Sequence, residues 1–483
     1  MPGFAEKMSR QSRKTIVVLL VIAALIGASV WFCLKITPGI RVGTAVVSQT
    51  LCSGVFVSGL DPDQLYVEAV RPIPGQDLLA KRLKIDVDRK RQQVSTTWAG
   101  MFESRAVYRQ GSGCRLVLAD DAKYAQRWKG VAPRSERLLA VDSVPRLEVA
   151  APSPQLEAAL DRAFREPDKP PYRFVKSIVI LHGGKLVAER YAPGYRAETP
   201  MLGYSLSKSV INALSGILVR QGKLSVEQPA PVAEWANPSD PRHAITLAEL
   251  MRMSSGLAIE ESDSGFDPVS RMLFLESDMA GFASRSKLQA APGSQWEYTS
   301  GNTLILSRVI RDAVGGHAED VVAFARKELF EPLGITTATI EFDAAGTPVG
   351  STNILASARD WARFGELYRN DGVVKGKRIL PEGWVKYSAA PTLNHGYGAG
   401  FWTNRGAYGY AKDRIEAGMP EDAFYGSGNL GQRVVVIPSE GLVVVRLGWT
   451  HSDGFDMNGL LRLISDTKAA LNNPWLQTHS LRN

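Results

Sequence analysis

A serine followed three residues later by a lysine is the first arrangement in this sequence that could carry out chemistry. Serine is a poor nucleophile unless a base stands beside it, and residues i and i+3 of a helix share one face. Ser205 and Lys208 have this spacing, follow Gly203, and open an apolar run of helical period. The free N–H groups and the dipole of a helix N-terminus also favour negative charge there. The pattern predicts a nucleophile, Ser205, with Lys208 as a proton-handling partner.

The same four-residue pattern occurs twice more, so its surroundings must decide which copy is functional. Ser284 and Lys287 lie in a polar stretch that ends in a Pro-Gly turn, with no apolar helix following. Ser465 and Lys468 lie well inside a predicted helix, where no free N–H groups remain. We therefore expect both of these copies to be coincidental.

A tyrosine and a serine further along the chain could complete such a site. Tyr298 and Ser300 stand just before a predicted helix. A phenol in a site that holds an ammonium ionises more easily and can relay a proton. A tyrosine in a turn is more often a packing residue, and this alternative remains open from the residues alone.

A glycine-rich segment provides the third candidate part of the site. Residues 425–432 read Tyr-Gly-Ser-Gly-Asn-Leu-Gly-Gln and lead into a strongly apolar strand. Ser427, Gly428 and Asn429 could therefore contact a substrate or supply an oxyanion donor, because glycines at a strand edge allow close approach to the backbone. A plain β-turn is the alternative.

A Ser-His-Asp site is the rival chemistry. No G-x-S-x-G motif surrounds Ser205, because Ser207 stands where the second glycine of that motif would be. The six histidines fall mostly in predicted turns and loops, and only His395 and His451 remain as candidates to reach the site. No histidine spacing indicates a metal site, and we expect neither a metal nor a cofactor.

An apolar segment near the N-terminus predicts where the chain resides. Residues 15–34 are 20 consecutive uncharged, mainly apolar residues, the length that crosses a bilayer as a helix. Four cations within residues 1–14 predict a cytoplasmic tail before a single-pass anchor in a bacterial inner membrane. A cleaved signal peptide is the alternative, and either one exports the rest of the chain to the periplasm.

The region after this segment is predicted to be a small separate module. Residues 36–148 contain strand-like runs and read as β-rich. Cys52 and Cys114 both lie here, and in an oxidising compartment they are expected to form a disulfide, with two buried free thiols as the alternative. The net charge of +8 is scattered, and its densest cluster, residues 89–91, reads as a solvated turn. We therefore expect no nucleic-acid partner.

Residues 155–475 are predicted to form the main domain. A hairpin at residues 176–191 is followed by helical sequence to about residue 390, then by strands at 433–437 and 442–446 and a closing helix. Strands at both ends with helices between them predict an α/β (α+β) fold, in which one sheet is assembled from both ends of the domain and covered by helices.

In this order, the serine–lysine, tyrosine and glycine-rich segments resemble the serine β-lactamase/penicillin-binding superfamily. They are most similar to its class C-like branch, which includes family VIII carboxylesterases and 6-aminohexanoate-oligomer hydrolases. The resemblance covers residues 155–472 and is supported by residues 245–257, similar to the family's LLxHTSGL motif, and by residues 358–365. It implies an antiparallel sheet flanked by helices and a mainly helical subdomain.

The resemblance also implies a mechanism and a substrate class. Ser205 would be acylated, Lys208 and Tyr298 would move protons, and the backbone N–H of Ser205 would contribute to an oxyanion hole. Two departures stand out: Ser300 replaces the family's asparagine, and residues 426–428 replace its Lys-Thr-Gly strand. The cation that grips a β-lactam or peptide carboxylate is then missing, which favours a small-molecule ester or amide as the substrate. The alternatives are a β-lactamase or D-peptidase, and a membrane-tethered sensor without turnover.

Overall fold

The computed structural model describes residues 10–128, 149–262, 264–406 and 411–471. Most of the predicted cytoplasmic tail therefore lies outside the described residues. The helices are α1 Arg10–Cys52, α2 Pro62–Leu65, α3 Gln76–Ala80, α4 Pro154–Phe164, α5 Leu206–Arg220, α6 Leu247–Met251, α7 Pro268–Leu275, α8 Met279–Ser284, α9 Ser300–Val314, α10 Ala318–Ala325, α11 Glu331–Leu333, α12 Ala358–Arg369, α13 Trp384–Ala389, α14 Ala411–Glu416 and α15 Met457–Leu471. The strands are β1 Leu83–Asp88, β2 Gln93–Trp98, β3 Met101–Arg109, β4 Gly113–Leu116, β5 Val175–His182, β6 Lys185–Tyr191, β7 Met201–Leu202, β8 Thr339–Ile340, β9 Ile354–Ala356, β10 Val373–Val374, β11 Lys377–Arg378, β12 Trp402–Thr403, β13 Phe424–Gly428, β14 Gln432–Ile437 and β15 Leu442–Gly448.

An antiparallel sheet with the order β12-β13-β14-β15-β5-β6 forms the centre of the main domain. Strand β15, near the C-terminus, pairs directly with β5, near the start of the domain, with Val444 opposite Ile180. The predicted assembly of the sheet from both ends of the domain is thus confirmed. The hairpin β5–β6 and the closing helix α15 also form where the sequence predicted them.

The two faces of this sheet bury alternate residues of each strand. Val434 and Val443 belong to the core shared with α5 and α12, whereas Val435 and Val444 pack with the apolar faces of α4 and α15. Because successive side chains of a strand point to opposite faces, a strand covered on both sides must be apolar throughout. This explains the uninterrupted valine runs of β14 and β15.

The N-terminal apolar segment is part of a helix that continues far beyond it. An 18-residue window of this helix has a mean hydropathy of 2.8 and is exposed along its length, so among the described residues it is the one long and apolar enough to cross a membrane. A signal sequence near the N-terminus can meet the same criterion of length and hydropathy. Helix α1 runs on through Pro38 to Cys52, and Val47 and Leu51 in its second half are fully buried.

The module after the apolar segment is β-rich only in part. Its four-stranded sheet β1-β2-β3-β4 spans residues 83–116, whereas residues 36–80 are largely helical. The prediction of a β-rich module from residue 36 is wrong for this first part, because its apolar residues lie on the helix face that packs on β2 and β3. The predicted disulfide is present: Cys52 and Cys114 are joined, with their Cα atoms 5.9 Å apart.

A buried carboxylate connects the module to the main domain. Glu341 accepts hydrogen bonds from Ser53 Oγ at 2.7 Å, from Gln49 Nε2 at 2.8 Å and from the backbone N–H of Cys114 at 2.8 Å. Asn353 Nδ2 of the main domain donates a fourth, also at 2.8 Å. Burial is the largest influence on this group and raises the pKa of Glu341 to about 7.

The Glu341→Gln substitution should flatten the dependence of stability on pH. An acid whose folded pKa of about 7 exceeds its ordinary value of 4.5 binds more protons in the folded state than in the unfolded state. Protonated Glu341 therefore contributes fully to the free energy of unfolding below pH 4.5. This contribution is lost as the pH rises to about 7, and the loss is up to about 3 kcal/mol. Thermal unfolding of the wild type and of the Glu341→Gln variant between pH 4.5 and 7.5 measures this dependence. Equal slopes of stability against pH in the two proteins would contradict the prediction.

Candidate active site

Ser205 lies in a tight turn that is held against a strand. The backbone N–H of Gly203 donates to Ile354 O at 2.9 Å, and Tyr204 adopts a positive φ of 47° before α5 begins. A Cβ at position 203 would lie 2.8 Å from both Ile354 O and the Trp361 ring, so only glycine fits there. Ser205 is the N-cap residue of α5 and is half-buried. The first backbone N–H groups of α5 are engaged within the turn, where Leu206 donates to Gly203 O at 3.1 Å and Ser207 to Tyr204 O at 2.9 Å.

The ammonium group of Lys208 is buried beside this serine. Lys208 is 3% exposed, and its Nζ donates to Ser205 Oγ at 2.9 Å. It also donates to Ser300 Oγ at 3.1 Å and to the carbonyl oxygen of Ser351 at 3.2 Å. The predicted spacing on one helix face thus brings the amine within hydrogen-bond distance of the hydroxyl.

Tyr298 lies over the same ammonium group. Lys208 Nζ is 4.8 Å from the centre of the Tyr298 ring. The ring stacks against Trp402 at 5.8 Å and meets the Tyr397 ring edge-on at 5.6 Å. These two aromatic residues fix the direction of the phenol, and neither was singled out from the sequence.

A carboxylate that the sequence did not indicate completes the polar cluster. Glu261 accepts a 3.1 Å hydrogen bond from Ser300 Oγ and a second bond from the backbone N–H of Ser300, the first residue of α9. A negative charge is favourable at a helix N-terminus. The Ser300 hydroxyl therefore links the Lys208 ammonium to Glu261. Glu261 follows the SSGL sequence by four residues, but no local pattern distinguishes it from neighbouring Glu260.

The glycine-rich segment lies next to the serine turn. It forms the end of β13, where a Cβ at Gly428 would lie 2.1 Å from Gly203 O. Strand β12 pairs only with Phe424 and Tyr425, so in the described chain it leaves the edge of β13 beyond Tyr425 uncovered. Ser427 is half-buried at this edge. The side chain of Asn429 instead accepts the backbone N–H of Leu430 at 2.8 Å.

A large cavity joins these parts. It has a volume of about 660 Å³, which is within the range of small-molecule sites. The predicted site residues among those that line it are Ser205, Tyr298, Ser427, Gly428 and Asn429. Lys208 and Ser300 lie behind this surface, buried against Ser205.

The alternative residues do not meet at this cavity. His395 stacks on Trp296 at 4.5 Å, and the Nε2 atom of His451 lies 2.9 Å from the carbonyl oxygen of Glu68. Neither histidine is among the residues that line the cavity. Ser284 ends α8 and donates to Glu234 at 2.9 Å, while Ser465 lies on the exposed side of α15, so neither shares the surroundings of Ser205.

Known proteins resemble this chain in both sequence and fold. A 6-aminohexanoate-dimer hydrolase of Paenarthrobacter ureafaciens is 24% identical over 350 residues, which cover 68% of this chain and 87% of the relative. A penicillin-binding protein homologue from Caulobacter crescentus superimposes with a TM-score of 0.52 at 18% identity, covering 67% of this chain and 99% of the other. EstCE1, described as a hydrolase with promiscuous acyltransferase activity, superimposes with a TM-score of 0.50 at 17% identity, covering 65% of this chain and 97% of the other.

These comparisons confirm the predicted fold and family. At such identities the two solved structures establish the shared fold alone. The Beta-lactamase family matches residues 172–467, which is more than half of the chain and includes the serine turn, the tyrosine segment and the glycine-rich strand. The chain therefore belongs to the β-lactamase family, whose serine-type fold is shared by esterases and amide hydrolases.

Proposed function

We propose that this protein is a serine hydrolase that cleaves ester or small amide bonds through an acyl-enzyme on Ser205. The observation that carries the proposal is the 2.9 Å contact between Lys208 Nζ and Ser205 Oγ at the start of α5, beside a cavity lined by Tyr298. A serine hydroxyl needs such a partner to become nucleophilic. The related 6-aminohexanoate-dimer hydrolase supports a role in cleaving amide bonds.

The reaction would proceed in two halves. Ser205 Oγ attacks the carbonyl carbon while its proton passes to the Lys208–Tyr298 pair, which must therefore begin as an ammonium with a phenolate or as a neutral amine with a phenol. The same pair returns that proton to the departing alcohol or amine. Water then attacks the acyl-enzyme, loses a proton to the pair, and releases the acid as Ser205 regains its proton. The carbonyl oxygen would be stabilised by the backbone N–H of Ser205 and by the uncovered edge of β13 near Ser427.

The charge around the cavity favours substrates without a carboxylate. Residues 426–428 carry no cation, and Arg115, the cation among the described lining residues, is paired with Asp121. A β-lactam or a D-peptide would bring a carboxylate that these residues do not neutralise. A neutral ester or small amide avoids this desolvation cost, so we favour that class over a β-lactamase or D-peptidase.

We further propose that α1 anchors the protein in the bacterial inner membrane, with the catalytic domain in the periplasm. The exposed apolar first half of α1 and the cations that precede it support this orientation. The Cys52–Cys114 disulfide is consistent with an oxidising compartment.

The Ser205→Ala substitution should reduce hydrolysis of p-nitrophenyl acetate by at least about 10³-fold, because no other nucleophile lies at this position. Lys208→Met should be nearly as damaging, since the hydroxyl then lacks its nitrogen partner at 2.9 Å. Initial rates of the purified full-length variants, with circular dichroism to verify folding, measure both effects.

Ser465→Ala is the matched control for these variants. It removes the serine of the same four-residue pattern from an exposed position on α15, and its rate should equal that of the wild type. A folded Ser205→Ala protein with the wild-type rate would refute the proposed nucleophile.

The Gly428→Ala substitution should lower kcat/KM for the same ester by about 100-fold, the cost of a displaced oxyanion donor. The added Cβ would lie 2.1 Å from Gly203 O and must push β13 away from the serine turn. Gly27→Ala is the control, since nothing lies within 4 Å of a Cβ at that position. Equal kcat/KM values for the two variants would show that the close contact of β13 with the turn is unimportant.

A further inference from the structure

The cavity at Ser205 extends along the second half of α1. Ile36, Ile40, Gly43, Val46 and Thr50 all line it, at the three- and four-residue intervals of one helix face. At 1.5 Å per residue, this wall is about 21 Å long. An acyl group of two or three carbons would leave most of such a cavity unfilled, so its length indicates a long substrate.

The opposite walls are also apolar. Phe266 and Leu273 line the cavity near α7, and Leu78 and Leu79 line it at α3. The Phe266 ring lies directly on Gly39, where an added Cβ would be 2.3 Å from it. An elongated cavity with aliphatic and aromatic walls fits an unbranched hydrocarbon chain.

The charged groups at the cavity argue for a neutral ligand. Glu261 is among the lining residues, whereas Glu276 is paired with Arg271 at 2.8 Å and Arg115 is paired with Asp121. An anionic head group would meet the Glu261 carboxylate without a free cation among the described lining residues. An uncharged ester or amide head group meets no such repulsion.

The position of the cavity on α1 indicates the source of the ligand. Ile36 lies two residues beyond the apolar segment of residues 15–34, and the described side chains of that segment, such as Leu20 at 64% and Trp31 at 60%, are exposed. If this segment spans the bilayer, one continuous helix carries the cavity wall from the membrane surface toward Ser205. A molecule that resides in the membrane would then have a shorter route to the cavity than one that arrives from solution.

We propose that the cavity binds the long acyl chain of a neutral membrane amphiphile and presents its ester or amide carbonyl to Ser205. This inference rests on the proposed hydrolase function and names its substrate class. The acyl chain lies along α1, and the uncharged head group leaves as the alcohol or amine after Ser205 Oγ forms its bond to the carbonyl carbon.

The test is a series of p-nitrophenyl esters from acetate to decanoate, kept monomeric and hydrolysed by the full-length protein in a neutral detergent. Each methylene buried is worth about four-fold in binding, so kcat/KM should rise at least about 100-fold along the series. In phosphatidylcholine vesicles that contain monooleoylglycerol, the full-length protein should release oleate. A preference for acetate, or intact monooleoylglycerol, would overturn the inference.

Two variants at the cavity mouth separate chain binding from catalysis. Phe266→Asp and Leu78→Asp replace side chains that are 62% and 83% exposed, so neither removes a core residue. Each should lower the ratio of the decanoate to the acetate kcat/KM by at least about ten-fold. Ile415→Asp, at a 41% exposed position outside the cavity lining, should leave the ratio unchanged. An equal ratio in all three proteins would contradict the inference.

The outcomes also distinguish failure of the acyl-chain site from failure of the proposed hydrolase function. Hydrolysis of acetate that depends on Ser205, without a gain for longer chains, would refute the acyl-chain site and retain the hydrolase. Absence of hydrolysis for every ester in the series would refute the hydrolase itself.

Discussion

The buried ammonium group of Lys208 is the feature on which the candidate site depends. A charge removed from water must have hydrogen-bond partners, and this one finds them on three separate segments. Ser205 Oγ comes from the turn before α5, Ser300 Oγ from the start of α9, and the carbonyl oxygen of Ser351 from the loop before β9. The same bonds that satisfy the ammonium group therefore bring two helix N-termini together and hold its nitrogen against the candidate nucleophile.

The surrounding fold keeps α5 from shifting away from this arrangement. On the next turn of the helix, Ser209 Oγ donates to Gly400 O at 2.7 Å, and Asn212 Nδ2 donates to Ala399 O at 2.9 Å. The Asn212 side chain in turn accepts bonds from Tyr368 OH and from the Trp384 indole. Buried polar groups that are fully hydrogen-bonded favour one register of packing over others. Helix α5 is thus positioned by specific bonds as well as by its apolar face.

The sequence predicted the features that arise from local patterns. The apolar runs of β14 and β15, the hairpin β5–β6 and the four-residue spacing of Ser205 and Lys208 each have a signature within a few residues. Glu261 has none, because its role arises only when its loop meets α9. The continuation of α1 past residue 36 was also missed, because the boundary was placed where the apolar segment ends. Both the role of Glu261 and the extent of α1 depend on contacts between residues far apart in the sequence.

The account makes Ser205 an activated nucleophile, and covalent labelling tests this most directly. The full-length protein would be incubated with a fluorophosphonate and, separately, with penicillin, followed by intact mass analysis and peptide mapping. We expect a single phosphonate adduct on Ser205, formed more slowly after Lys208→Met, and no lasting penicillin adduct. A phosphonate adduct on another residue, or none in the folded protein, would contradict the central claim. A lasting penicillin adduct on Ser205 would instead assign the site to a penicillin-binding enzyme or sensor.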